Sequence, residues 1–249
     1  MLRAYGDGNI FGEPYGEGPV CVVWLHGWAR RGQDFEVCAN TLATRGIASV
    51  ALDLPGFGSS PPPTVAGGAR HYATLLSGVL SQISPEPLIL VGHSFGGTVA
   101  TVLAATHPEL VSNIVLTGAP VLRSPSSSKP PLQYRVLRTL YRKGVVSDER
   151  MEAARQRFGS VDYRNARGII RQVLVAAVNE SYEDELAQLA APVAMLWGEL
   201  DSEVPVAVAQ RALEFIQSDR SLRVVSGVGH LLPLEAPNEL LSEVEKILG

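Results

Sequence analysis

Cysteine is scarce in this chain: Cys21 and Cys38 are the only two among 249 residues. Neither has a histidine at a spacing that suggests zinc, so nothing points to a disulfide framework or a metal centre, and no metal or other cofactor is expected. Cys21 lies in an apolar run and Cys38 in a helical pattern, and both are expected to be buried reduced thiols. Long hydrophobic runs are also missing. The first eight residues hold no continuous apolar stretch, and a run such as 20–25 is far too short to span a bilayer. A protein without membrane association, unexported and cytoplasmic, is the expectation. Charge of one sign is not in large excess either; a net charge of -4 argues weakly against nucleic acid as a partner.

The composition that remains is 46% hydrophobic and 18% charged, which is that of a folded globular chain. The length suits one α/β domain with an insertion better than two independent domains. Residues 2–19 alternate turn signals such as Gly6-Asp7-Gly8-Asn9 with short apolar pieces, as an antiparallel hairpin at the start of a sheet would. Val20-Cys21-Val22-Val23-Trp24-Leu25 is continuously apolar, the mark of a strand covered on both faces, and it runs into His26-Gly27-Trp28. Helical and strand patterns then alternate: helix over about 34–44, strand 47–52, helix 68–80, strand 88–93, helix to 105, strand 114–117. Between about 121 and 189 the alternation stops, and three or four helical patterns follow the Ser-Pro-rich stretch 124–131, where a hinge is plausible. It resumes with strand 193–197, helix 206–217, strand 222–225 and a final helix over 237–248. The division is a core of 1–120 and 190–249 with a helical cap of 121–189 between its parts. Strands separated by helices imply a mostly parallel sheet with helices on both faces.

Chemistry concentrates in Leu88-Ile89-Leu90-Val91-Gly92-His93-Ser94-Phe95-Gly96-Gly97, an apolar strand that ends in Gly-x-Ser-x-Gly and opens into a helix. Such a turn holds a serine out at the top of a sheet, and its glycines leave room for the neighbouring chain. Ser94 reads as a nucleophile, and the Phe95 N–H, at the first turn of the helix, as an oxyanion donor. A hydroxyl needs a histidine base oriented by a carboxylate. His230 follows the last strand in Ser226-Gly227-Val228-Gly229-His230, and Asp201 follows the strand before it, with Glu199 competing for the acid role and a helix N-cap as the alternative use of Asp201. The second oxyanion donor is expected from the loop after the first buried strand, where Trp28 is the candidate. His26 and His93 read better as structural hydrogen-bonding residues than as bases, and Asp53 as the anchor of its own glycine-rich loop.

His26-Gly27-Trp28, Asp53-Leu54-Pro55-Gly56-Phe57-Gly58-Ser59, Gly92-His93-Ser94-Phe95-Gly96-Gly97, the segment 198–201 and Gly229-His230, in this order, resemble the α/β-hydrolase superfamily over nearly the whole chain. The resemblance implies an eight-stranded sheet, a helical cap after the sixth strand and the triad Ser94, Asp201 and His230. Serine at the nucleophile position is unlike the aspartate of the family's dehalogenases and epoxide hydrolases. The expected activity is that of a cofactor-independent serine esterase acting on a small-molecule ester. A carbon-carbon bond hydrolase of the same fold, a low-turnover binding protein and an aminopeptidase-like enzyme are the alternatives.

The cap region 123–171 carries twelve basic and four acidic residues, against nine and twenty-one in the rest of the chain. Within it Leu132, Val136, Leu137, Leu140 and Tyr141 fall on one side of a helix, and Arg135, Arg138 and Arg142 on another. The arginines either pair with the acidic body or receive an anionic partner near the site entrance. The lid and the His26-Gly27-Trp28 loop are similar to those of pimeloyl-acyl-carrier-protein methyl ester esterases, which implies a carrier-linked methyl ester, an acidic acyl-carrier protein as partner, a place in biotin biosynthesis, and Arg138 and Arg142 as substrate-binding residues.

Overall fold

The computed structural model describes residues 1–123 and 131–249. The Ser-Pro-rich stretch in which a hinge is expected therefore falls almost wholly outside the described residues, as does Lys129 of the basic cap. The chain opens with β1 (Arg3–Tyr5), β2 (Ile10–Tyr15) and β3 (Val20–Leu25), followed by α1 (Glu36–Thr44), β4 (Ala48–Asp53), α2 (Ala69–Ile83), β5 (Leu88–His93), α3 (Phe95–Thr106) and β6 (Val111–Thr117). After the cap come β7 (Val193–Gly198) with the short helix Val206–Ala212, then β8 (Arg220–Val225), the single-turn helix Leu232–Glu235 and the last helix, Pro237–Leu248. The eight strands form one sheet in the order β1-β2-β4-β3-β5-β6-β7-β8. The β1-β2 and β2-β4 pairs are antiparallel and the remaining pairs parallel, as the alternation of patterns in the sequence anticipates.

The continuous apolar strands are explained by two cores, one on each face. Val23, Leu25, Val50, Leu52, Leu88 and Leu90 point to the core under α2 and α3, whereas Val22, Trp24, Ala51, Ile89 and Val91 point to the core under α1 and the last helix. Successive side chains leave a strand on opposite faces, so a strand buried on both sides shows no polar alternation. Cys38 is buried in the second core, but Cys21 is exposed, against expectation. The β3-β4 register shifts between Val20 and Val22, so Cys21 sits in the irregularity at the start of its strand, before both faces are covered.

The insertion between β6 and β7 contains five helices among the described residues: α4 (Leu132–Arg142), α5 (Asp148–Phe158), α6 (Val161–Asn165), α7 (Gly168–Ala177) and α8 (Glu183–Gln188). The sequence pattern merges some of them, because α6 is a five-residue piece bounded by Ser160 and Ala166. The helix expected over 206–217 stops at Ala212, where the chain turns through Leu213 and Phe215. The helix after the Ser-Pro stretch forms as the periodicity suggests, yet none of its residues is buried, and Leu132 and Val136 are exposed.

Candidate active site

The strand-turn-helix of β5 and α3 is held tight by its glycines. A Cβ on Gly92 would stand 2.6 Å from the Gly97 Cα, and one on Gly96 would stand 2.2 Å from the Leu25 carbonyl oxygen. Only glycine lets these backbones approach so closely. Ser94 itself has φ 50° and ψ -117°, a conformation seldom adopted by a side-chain-bearing residue, and its N–H donates to the Thr117 carbonyl at 2.8 Å. Backbone strain of this kind persists where the surroundings over-determine it. The only other non-glycine residues with positive φ among those described are Asp7 and Ala29, and Ala29 belongs to the loop that faces the turn.

Three side chains from three separate loops meet at this turn. The Ser94 hydroxyl lies 3.2 Å from His230 Nε2, and His230 Nδ1–H donates to Asp201 Oδ2 at 2.8 Å. The other oxygen of Asp201 accepts the N–H groups of Glu203 at 3.0 Å and Val204 at 2.8 Å, which locks the carboxylate in its turn. Asp201 therefore caps its own loop; Pro205 occupies the N-cap position of the next helix. Glu199 points elsewhere, accepting from the Ser226 hydroxyl and the Gly227 N–H. The two carboxylates that compete in the sequence are separated by the fold.

His230 is held from both sides of its loop. Glu235 accepts the Gly229 N–H at 2.7 Å with one oxygen and the Leu231 N–H at 3.0 Å with the other. Behind the ring, a Cβ on Gly118, which has φ +55°, would stand 2.9 Å from His230 Cε1, so the chain after β6 must be glycine there. Burial pulls the imidazole pKa down, but the hydrogen bond and charge of Asp201, helped by Glu203 and Glu235, outweigh it and leave the pKa raised.

His26 and His93 are buried neutral. His26 Nδ1–H donates to the Gly27 carbonyl at 2.7 Å, and its Nε2 accepts the Leu54 N–H at 2.9 Å, so the ring ties the loop after β3 to the loop after β4. Burial pushes its pKa down to about 4. His93 Nδ1 bonds the Thr117 hydroxyl at 2.9 Å, with its ring centroid 4.9 Å from that of His230. Burial first, then the His230 charge, push it down to about 3. Asp53 accepts the Gly32 N–H at 2.8 Å and the Ser59 N–H at 2.7 Å, and so fastens its glycine-rich loop to the loop after β3.

The loop carrying Trp28 is stitched to the serine turn by the Gly96 N–H, which donates to the His26 carbonyl at 3.1 Å. Gly27 packs directly on Ser94: a Cβ there would stand 3.2 Å from the Ser94 Cβ. Neither the Trp28 N–H nor the Phe95 N–H has an acceptor among the described residues. The Trp28 ring stands edge-on to Phe95 at 5.6 Å and to Phe57 at 4.9 Å, forming an aromatic wall beside Ser94. Ile170 of α7 sits over Gly56, where its Cδ1 would be 2.2 Å from an added Cβ, so the cap reaches the loop after β4.

Arg138 and Arg142 are exposed on α4 and have no carboxylate partner among the described residues. The cap arginines that do pair find Glu152 inside the cap: Arg171 at 2.6 Å and Arg155 at 3.7 Å. Pairing between cap arginines and the acidic body is not seen among the described residues. Glu203, Glu235 and Gly118 are the neighbours of the site that the sequence does not single out, because only the fold brings them to His230.

A sequence model described as the alpha/beta hydrolase family matches residues 22–244. A curated protein of Aeromonas hydrophila named pimeloyl-[acyl-carrier protein] methyl ester esterase is 29% identical over 95% of this chain and 98% of its own. A protein of Cupriavidus pinatubonensis named 2-hydroxy-6-oxononadienedioate/2-hydroxy-6-oxononatrienedioate hydrolase is 28% identical over 94% of this chain and 88% of its own. Among solved structures, an esterase from Exiguobacterium antarcticum superposes with a TM-score of 0.75 at 23% identity, covering 99% of this chain and 98% of that one.

Proposed function

This chain belongs to the α/β hydrolase family, and on that premise we propose that it is a serine hydrolase that cleaves carboxylic esters through an acyl-enzyme on Ser94. The observation that carries the reading is the unbroken hydrogen-bonded chain from the Ser94 hydroxyl through His230 to Asp201. With Nδ1–H committed to Asp201, neutral His230 presents a lone pair at Nε2 to the serine proton. Ser94 Oγ attacks the ester carbonyl as Nε2 takes that proton, and Asp201 supports the imidazolium. The N–H groups of Phe95 and Trp28 receive the oxyanion; each such donor is worth on the order of 100-fold to 1000-fold in turnover. Collapse breaks the carbonyl-alkoxy bond and returns the proton to the leaving alcohol. Water, activated by the same histidine, then frees the acid.

For the substrate, the likeness to a pimeloyl-[acyl-carrier protein] methyl ester esterase and the basic cap favour a carrier-linked methyl ester presented by an acidic acyl-carrier protein, with Arg138 and Arg142 in contact with it. The reaction needs no metal or organic cofactor. A second reading is favoured by the relative named for a carbon-carbon bond hydrolase; the same three residues would then act on a vinylogous ketone.

The test is hydrolysis of a chain-length series of p-nitrophenyl esters, with fluorophosphonate labelling, by wild type and Ser94→Ala. The expected result is turnover and labelling in the wild type and loss of both in the variant, turnover falling by on the order of a million-fold. Labelling of the wild type without turnover of any ester, together with cleavage of a dienoate ketone, supports the second reading instead.

A further inference from the structure

The turn that positions Asp201 carries a second carboxylate. Glu203 donates its N–H to Asp201 Oδ1 at 3.0 Å, so its backbone is tied to the same side chain that orients His230. From that tether its Oε2 stands 3.7 Å from His230 Nε2, the nitrogen that also faces the Ser94 hydroxyl. The two acids are placed oppositely toward solvent: the Asp201 side chain is 1% exposed behind the ring, and the Glu203 side chain is 69% exposed in front of it. The remaining titratable groups about the ring are His93 at the end of β5, kept neutral by burial, and Glu235 on the single-turn helix that follows, engaged with the backbone on either side of His230.

We infer that Glu203 is a specificity-determining residue, whose carboxylate places negative charge on the leaving-alcohol side of the site and selects cationic over anionic alcohols. The inference rests on the serine-esterase reading. In the acylation step the carbonyl-alkoxy bond breaks and the departing oxygen takes the proton from His230 Nε2, so the alcohol must leave past that nitrogen. Its substituent is then brought to the side where Glu203 stands. An anionic group there meets a like charge and a cationic one an opposite charge, in a largely screened setting where one such contact is worth up to about fivefold, so that the loss of both moves the ratio of the two substrates by about fivefold to tenfold. Methanol carries no charge, so the choice between a methyl ester and another neutral ester does not depend on this residue.

The experiment uses three butyrate esters with one acyl group and three alcohols: choline, its neutral tert-butyl isostere, and hydroxypropanoate. kcat/KM is measured for each with wild type, Glu203→Gln and Glu203→Asp, with Ser94→Ala as the control. The ratio of choline to hydroxypropanoate ester cancels any uniform effect on the base. That ratio is expected to fall about fivefold to tenfold in Glu203→Gln, to be partly kept in Glu203→Asp, and to shrink in the wild type as salt is added. If the neutral ester is hydrolysed through Ser94 and the ratio is the same in wild type and Glu203→Gln, Glu203 has no such role. If the neutral ester is untouched, or its hydrolysis survives Ser94→Ala, the esterase reading fails and the inference falls with it.

Discussion

The three histidines nearest the serine turn have one side chain and three environments. His26 and His93 are sealed among backbone carbonyls and apolar walls, where a charged ring would lose its hydration without gaining a carboxylate. His230 has Asp201 against Nδ1, and its charged form is the stabilised one. The pH consequences have opposite signs. Unfolded histidine takes a proton near its ordinary value of 6.5, but folded His26 resists it down to about 4 and His93 down to about 3. Folding stability is therefore expected to fall as pH drops from about 6.5 towards 4, by on the order of 3 kcal/mol from His26 alone. Under the proposed mechanism His230 must be neutral to accept the serine proton, so kcat/KM is expected to fall first, at a pH above that of an ordinary imidazole. Thermal melts and a pH-rate profile over the same range separate the two effects. Loss of activity that tracks unfolding throughout would contradict this assignment.

At the scale of elements, the cap returns to the core through α8, where Tyr182, Leu186 and Leu189 are buried in the core under α2 and α3, and a core arginine adds a polar tie. Arg70 of α2 makes two bonds to Glu185 of α8 and donates to the Ser181 carbonyl at 2.9 Å, while its guanidinium lies 5.2 Å from the centre of the Tyr182 ring. Glu185 is nearly buried and Arg70 about half exposed, so most of the cost of breaking the pair is the stranded carboxylate. Arg70→Leu is expected to lower stability by about 1–2 kcal/mol in urea unfolding. Adding Glu185→Leu should recover part of that loss, because no buried charge is then left without a partner. By contrast α4 buries none of its residues and packs chiefly on α5. Its amphipathic pattern is plain in the sequence, but its apolar residues are not used to fill the core.

Over the whole molecule, the chain separates its charge: the cap segment is basic and the remainder acidic, although the sum is only -4. Such a division orients an approaching charged partner and acts chiefly on association rate. Under the carrier-protein reading, Arg138→Glu with Arg142→Glu is expected to reduce kcat/KM for a carrier-linked ester by about tenfold or more, to leave small neutral esters within about twofold, and to remove much of the salt dependence. Equal losses on both substrates would remove the carrier protein from the account. No described helix is long and apolar enough to cross a membrane.

The sheet order and the site stand differently to the sequence. Unbroken apolar strands ending in glycine-rich turns made the α/β class and the neighbourhood of Ser94 legible, because burial on both faces and close backbone approach each demand particular residue types. The same local logic marked His230 and Asp201, which lie just past the carboxyl ends of strands. It also favoured Asp201 over Glu199, two residues apart on one turn, but it did not contain the distance to His230 Nδ1, a contact between loops 29 residues apart in sequence. Nor did it expose Glu203, Glu235 or Gly118, whose relation to His230 exists only once β6, β7 and β8 lie side by side. Cys21 was misread because a register shift between strands, and not its apolar neighbours, sets its exposure. Composition and periodicity determined which segments are strands, helices and tight turns, since these follow from local sterics and from which faces must be buried. Only the tertiary structure decided which carboxylate meets which ring nitrogen, because that depends on how strands distant in sequence align.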